Sequence, residues 1–216
     1  MAGSDDLILR LSAGLRPVKR LPPPLMRASA WLAVVGALSV AFVLGFARID
    51  IFVDRARDPK MALELIGTLA TGILAVIAAF ELSLPDRSLR WALLPLPTFV
   101  LWLSSSSYSC WRHWGSGAPG HWVVGETPNC FAWIVGFGVP LAISLFVILR
   151  RSCPIAPGPV AAMAGLGVAS LAAFLLQFFH PFDVTFIDLG LHLAAVATVI
   201  ILARAAARPG LDGARP

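Results

Sequence analysis

MALELIGTLATGILAVIAAF, residues 61–80, decides the fold of this chain. Twenty residues carry one ionisable side chain, Glu64. A helix of that length rises about 30 Å, the thickness of a bilayer's hydrocarbon core. Outward from it lie five more runs of the same kind: Ala28–Ala47, Trp91–Tyr108, Phe131–Leu149, Val160–Phe179 and Val184–Ala203. The pattern predicts an all-α polytopic membrane protein with six transmembrane helices. Composition agrees, because 58% of the 216 residues are hydrophobic and 13% are charged. A soluble domain carries roughly 25% charged residues. A second soluble domain is thereby excluded, and with it a secreted or nucleic-acid-binding role.

The net charge of +5 is distributed by membrane side. Lys and Arg collect at alternate ends of the spans, the pattern that sets topology. With the N-terminus inside, the inner segments hold Arg10, Arg16, Lys19, Arg20, Arg27, Arg87, Arg90, Arg150, Arg151, Arg204, Arg208 and Arg215. The outer segments hold only Arg48, Arg55, Arg57, Lys60 and Arg112, the first four beside Asp50, Asp54 and Asp58. Both chain ends are expected in the cytoplasm. The first span exceeds the roughly 7–15 apolar residues of a secretory signal, and no small-x-small site follows it, so it stays in the membrane. The expected organisation is a cytoplasmic head (1–27), a transmembrane domain (28–204) with an outer loop at 109–130, and a tail (205–216).

Within the spans, Pro95 and Pro97 predict a kinked third helix whose Ser104–Ser107 hydroxyls return to freed carbonyls. Gly136, Gly138 and Pro140 predict the same for the fourth. Ala161, Gly165 and Ala169 form a small-residue stripe suited to close helix packing, within the chain or across a dimer. Trp31 and Trp91 fall at inner boundaries, and Trp111, Trp114, Trp122 and Trp133 at the outer side, where an amphipathic ring is favoured.

The ionisable residues near the spans lie toward the outer side. Glu64, His180, Asp183, Asp188 and His192 make up this polar layer. Asp188 and His192 are four apart and share a helix face. Two readings stay open: an Asp–His hydrogen bond stitching spans 5 and 6, or a polar layer coupled to an outer sensor.

Three cysteines complete the inventory of reactive groups. Cys110 and Cys130 flank the outer loop, and Cys153 lies on the inner side, where thiols stay reduced. A Cys110–Cys130 bridge closes a loop of 21 residues, worth roughly 3 kcal/mol in the chain-entropy model. A structural disulfide, a redox- or metal-responsive pair with His113 and His121 nearby, and unpaired thiols all fit the spacing. No C-x-x-C occurs, which argues against an electron-shuttling thiol oxidoreductase.

The head begins with Ser4-Asp5-Asp6, a helix-start signal. Leu7, Ile8, Leu11 and Leu15 then recur on one helical face. Pro17 ends the pattern, Lys19 and Arg20 follow, and Pro22–Pro24 form a stiff spacer into the first span. Such a helix of about 12 residues is marginal alone in water. Its apolar face is expected to bury against the inner membrane surface or in a groove of a protein partner.

Asp5-Asp6-Leu7-Ile8, Arg16-Pro17-Val18-Lys19-Arg20-Leu21-Pro22-Pro23-Pro24 and a Trp-containing first span together resemble the NrsF-type anti-sigma-F factors. Phe80-Glu81-Leu82-Ser83-Leu84-Pro85, Leu101-Trp102-Leu103, Tyr108-Ser109-Cys110 and Phe179-His180-Pro181-Phe182-Asp183 extend the resemblance in order along nearly the whole chain. It implies a multi-pass protein of the bacterial inner membrane that holds an extracytoplasmic-function sigma factor of the sigma-F type and frees it under oxidative or metal stress. Carried over by position, Asp6, Leu7, Ile8, Leu11, Leu15, Pro17, Lys19 and Arg20 would contact the sigma factor. Cys130, with Cys110, would sense the stress. In part of that family the second cysteine lies near the outer end of span 5, where this chain reads Phe178-Phe179-His180-Pro181.

The expected function is therefore a membrane-bound anti-sigma factor, partnered by a sigma factor and the lipid bilayer, with no nucleic acid, no cofactor and no catalytic activity. The rival is a small metal or solute transporter using Glu64, Asp188 and His192.

Overall fold

The computed structural model describes residues 3–13, 20–47, 49–115, 127–152, 154–179 and 186–207, with side chains described except at 51, 55, 109–115, 127–130, 186–188 and 207. Among the described residues the long elements are helices and there is no strand. In chain order they are α1 (Ser4–Ala13), α2 (Pro24–Phe46), α3 (Ile49–Ala56), α4 (Pro59–Leu82), α5 (Leu96–Gly115), α6 (Thr127–Leu149), α7 (Pro157–Leu176) and α8 (Phe186–Ala207). Short 3-10 turns occupy Leu89–Leu93 and Arg150–Ser152.

Prolines start these helices where a missing N–H costs nothing. Pro24 opens α2 and Pro157 opens α7. Pro59 opens α4 behind Asp58, whose side chain accepts from the Lys60 amide at 3.0 Å. At α1 the Gly3 carbonyl receives the Leu7 amide at 3.3 Å, so Ser4 is the first helical residue rather than the cap.

Among the described residues, five helical segments are long and apolar enough to cross a membrane: Pro24–Phe46, Pro59–Leu82, Phe131–Ser152, Pro157–Leu176 and Leu189–Ala206. The expected third span differs. Residues 89–93 form a 3-10 turn, and the helix begins only at Leu96. Pro95 therefore precedes α5 and Pro97 sits in its first turn, so neither bends a helix interior. The Pro95 carbonyl instead takes the Phe99 amide at 2.9 Å. Ser104, Ser105 and Ser107 do return their hydroxyls to the carbonyls of Leu101, Trp102 and Leu103. Those serines lower the hydropathy of α5, which is not among the five. In α6 the helix runs continuously across Pro140.

The six long helices α2, α4, α5, α6, α7 and α8 alternate in direction. The start of α2 meets the ends of α4 and α6 through Arg27, and the start of α7 meets the end of α8 at Gly158 and Arg204. The start of α2 and the end of α8 therefore lie at one end of the bundle, here the head end. Helix α7 is the hub, packed broadly against α4, α8 and α6.

In a bilayer, helices associate through close packing rather than by hiding apolar surface. Glycine permits it here. A methyl on Gly165 would fall 2.7 Å from the Ile200 Cα, and one on Gly167 would fall 2.8 Å from Val76 Cγ2. One on Gly72 would lie 2.8 Å from Leu171 Cγ. The stripe of Ala161, Gly165 and Ala169 is thus used within the chain, and all three are buried. Helix α2 is the opposite case: only Ala28, Trp31 and Val35 are buried. Helix α3, which the sequence pattern did not announce, joins α2 to α4 and stacks Phe52 on Phe178 at 4.2 Å.

Candidate functional site

Helix α1 lies exposed along its length. Leu7, Ile8 and Leu11 are 58%, 61% and 66% exposed, and no residue of α1 is buried. Asp6 pairs with Arg10 at 3.0 Å one turn on, a solvated contact of small worth. Arg20 is exposed in the extended stretch before α2. Leu15, Pro17 and Lys19 lie outside the described residues.

Where the head joins the bundle, Arg27 makes three contacts. Its Nη1 donates to Ser152 Oγ at 2.8 Å and its Nη2 to the Ile148 carbonyl at 3.0 Å. Its guanidinium also lies 5.2 Å over the Phe80 ring. The Ile148 carbonyl is among the last four of α6, which have no partner inside the helix. A cation there also meets the negative end of the helix dipole. One turn further along α2, Trp31 Nε1 donates to Ser144 Oγ at 3.2 Å.

At the opposite end, Phe42 of α2 packs against Trp133 and Phe137 of α6, and against Phe179. Trp133 in turn meets Phe179 at 4.8 Å. Cys130 lies three residues before Trp133 in α6, and Cys110 lies in the last part of α5. Both cysteines therefore sit on helix backbone at this far end. Their side chains, and so any pairing between them, lie outside the described residues.

Of the expected polar layer, Glu64 and His192 have described side chains, and both are buried. A cavity of about 10 Å³ is lined by Thr68, Trp102, Ser106, Ala173, Gln177, Leu189 and His192. That is room for about one water. It brings together α4, α5, α8 and the end of α7. Glu64, buried on α4, stands one turn from Thr68, whose hydroxyl donates to the Glu64 carbonyl at 2.6 Å. His192 is likewise buried. Asp188 is on α8, but its side chain is outside the described residues, as are His180 and Asp183 entirely. Among the described residues, no three His, Cys, Asp or Glu side chains gather to hold a metal.

Sequence reasoning missed Thr68, Ser106 and Gln177. Thr68 was discoverable as the residue four on from Glu64. It also counted Arg27 only as one inner cation, and Glu81 only within a motif.

Comparison with known proteins supplies the last observation. The family model NrsF, described as negative regulator of sigma F, matches residues 11–215. The chain belongs to the NrsF family. No curated protein and no solved structure matches it. The family match spans the whole bundle and begins at the last turn of α1.

Proposed function

We propose that this chain is a membrane-bound anti-sigma factor. Its N-terminal head captures an extracytoplasmic-function sigma factor on the cytoplasmic face of the bacterial inner membrane. Six spans, α2, α4, α5, α6, α7 and α8, hold both chain ends inside. Oxidative or metal stress acting at outward Cys110 and Cys130 then frees the sigma factor. Leu7, Ile8, Leu11 and Leu15 bury in a groove of the partner, with Asp6, Pro17, Lys19 and Arg20 around them, and so mask surface that RNA polymerase would use.

The observation that carries this reading is the exposed apolar face of α1 in a chain of the NrsF family. Four leucine-class side chains, Leu7, Ile8, Leu9 and Leu11, lie exposed on this ten-residue helix, which supports a role in binding a partner. A tenfold easier release needs a difference of only about 1.4 kcal/mol between the two states of the bundle.

Deleting residues 2–20 tests it. Expression from a sigma-dependent promoter rises to the level seen without the protein, while the truncated bundle stays in the membrane. Unchanged repression by that truncated chain overturns the reading.

A further inference from the structure

Resting on that reading, the structure assigns Arg27 a positioning role: it sets where the head leaves the bundle by capping the carboxyl end of α6, so that movement of α6 is felt at the head. Helices α2 and α6 run in opposite directions and meet through long side chains rather than by close backbone approach. They touch at three levels. Phe42 meets Trp133 and Phe137, Trp31 meets Ser144, and Arg27 meets Ile148 and Ser152.

The two ends of this pairing belong to different parts of the protein. The α6 end near Phe42 begins at Thr127, beside Cys130. Its other end is the last turn that Arg27 grips. Arg27 is in the first turn of α2, directly behind Pro22, Pro23 and Pro24. A proline run is stiff, so a shift at Arg27 is carried outward instead of being absorbed.

The rest of the bundle offers less freedom. The α4–α7 and α7–α8 pairs are locked by glycine contacts under 3 Å to any added methyl. Helix α2 has few buried residues; it lies along α4, and its hold on α6 is confined to a few long side chains. An aromatic contact tolerates sliding. The Arg27 contact does not, because it needs a carbonyl, a hydroxyl and a ring face at once. Movement of α6 by about one helical step of 1.5 Å breaks at least one of these hydrogen bonds.

The test uses the full-length protein in cells carrying a sigma-dependent reporter, with membrane protein levels measured alongside. Arg27→Ala raises unstressed reporter output by about fivefold or more, at wild-type protein level. Arg27→Lys keeps the charge but not the fork, and falls between. Ser152→Ala, which removes one acceptor from a half-buried position in a short turn, gives a smaller rise and guards against a folding defect at Arg27. A spin label at Ser4 reports a broadened head position in Arg27→Ala but not in Arg90→Ala, the control for loss of an inner cation. Wild-type repression and head position in both Arg27→Ala and Ser152→Ala overturn the inference. If deleting residues 2–20 derepresses while those variants do not, only the role of Arg27 falls. If the deletion itself is silent, the anti-sigma reading falls.

Discussion

Arg87 Nε stands 3.0 Å from Glu81 Oε2, and the two partners live in different media. The carboxylate is 3% exposed and the guanidinium 41%. The contact is an ion pair without an aligned hydrogen bond to that oxygen. It closes the turn after α4, where Ser83 Oγ donates to the Phe80 carbonyl at 2.7 Å and the Leu84 amide to the Glu81 carbonyl at 3.1 Å. The Phe80–Pro85 stretch thus acts as the terminator of α4.

Removing one partner of a buried pair strands the other, and the cost runs to roughly 3–5 kcal/mol when both are buried. Solvent around Arg87 reduces that, so Arg87→Ala is expected to destabilise by about 1–3 kcal/mol. Glu81→Gln, which leaves only the solvated Arg87 charge and no buried one, costs less than Arg87→Ala. Thermal unfolding in detergent measures both, and equal melting of Arg87→Ala and wild type contradicts the pairing.

Glycines separate into two groups by what surrounds them. Gly165→Val drives a side chain into the Ile200 backbone and is expected to cost about 1–3 kcal/mol or more, or to prevent assembly. Gly36→Ala and Gly45→Ala meet nothing within 4 Å and gain helix propensity, so they hold or raise the melting temperature. Unfolding curves of the three variants side by side decide this.

The long elements were legible in the sequence because a bilayer admits few solutions: an apolar run near 20 residues must be a helix. The small-residue stripe in α7 was legible for a similar reason, since close approach needs missing side chains. Less was readable at Pro95 and Pro97. Proline marks a helix start and a helix bend equally well, and only packing chose the start. The cavity was half visible. His192 stood out as an ionisable residue in an apolar run, but Ser106 and Gln177 joined it in the cavity lining only when α5 and α7 were placed beside it.

Head variants probe capture without touching the bundle. Ile8→Asp or Leu11→Asp inserts a charge into the proposed binding face, and is expected to weaken capture tenfold or more, at about 1.4 kcal/mol per tenfold. Arg10→Ala breaks only the solvated pair with Asp6 and is expected to change helix stability by less than about 0.5 kcal/mol. Co-purification of the sigma factor with each full-length variant distinguishes them.

Topology and sensing share one experiment. A membrane-impermeant maleimide applied to intact cells with a permeabilised outer membrane labels reduced Cys110 and Cys130 but not Cys153. Cys110→Ser and Cys130→Ser then alter reporter output under oxidant or metal challenge at unchanged protein level. Labelling of Cys153 from outside contradicts the orientation, and wild-type output from both serine variants removes these thiols from sensing.

The hub of the bundle comes late in the chain. Helix α4 is complete by Leu82, yet the helix it leans on most does not begin until Pro157. During synthesis α4 and α6 are therefore complete before the helix that both of them pack against has left the ribosome. Chains stopped short of α7 leave the face of α4 at Gly72 and Val76 uncovered, so the bundle closes late in synthesis.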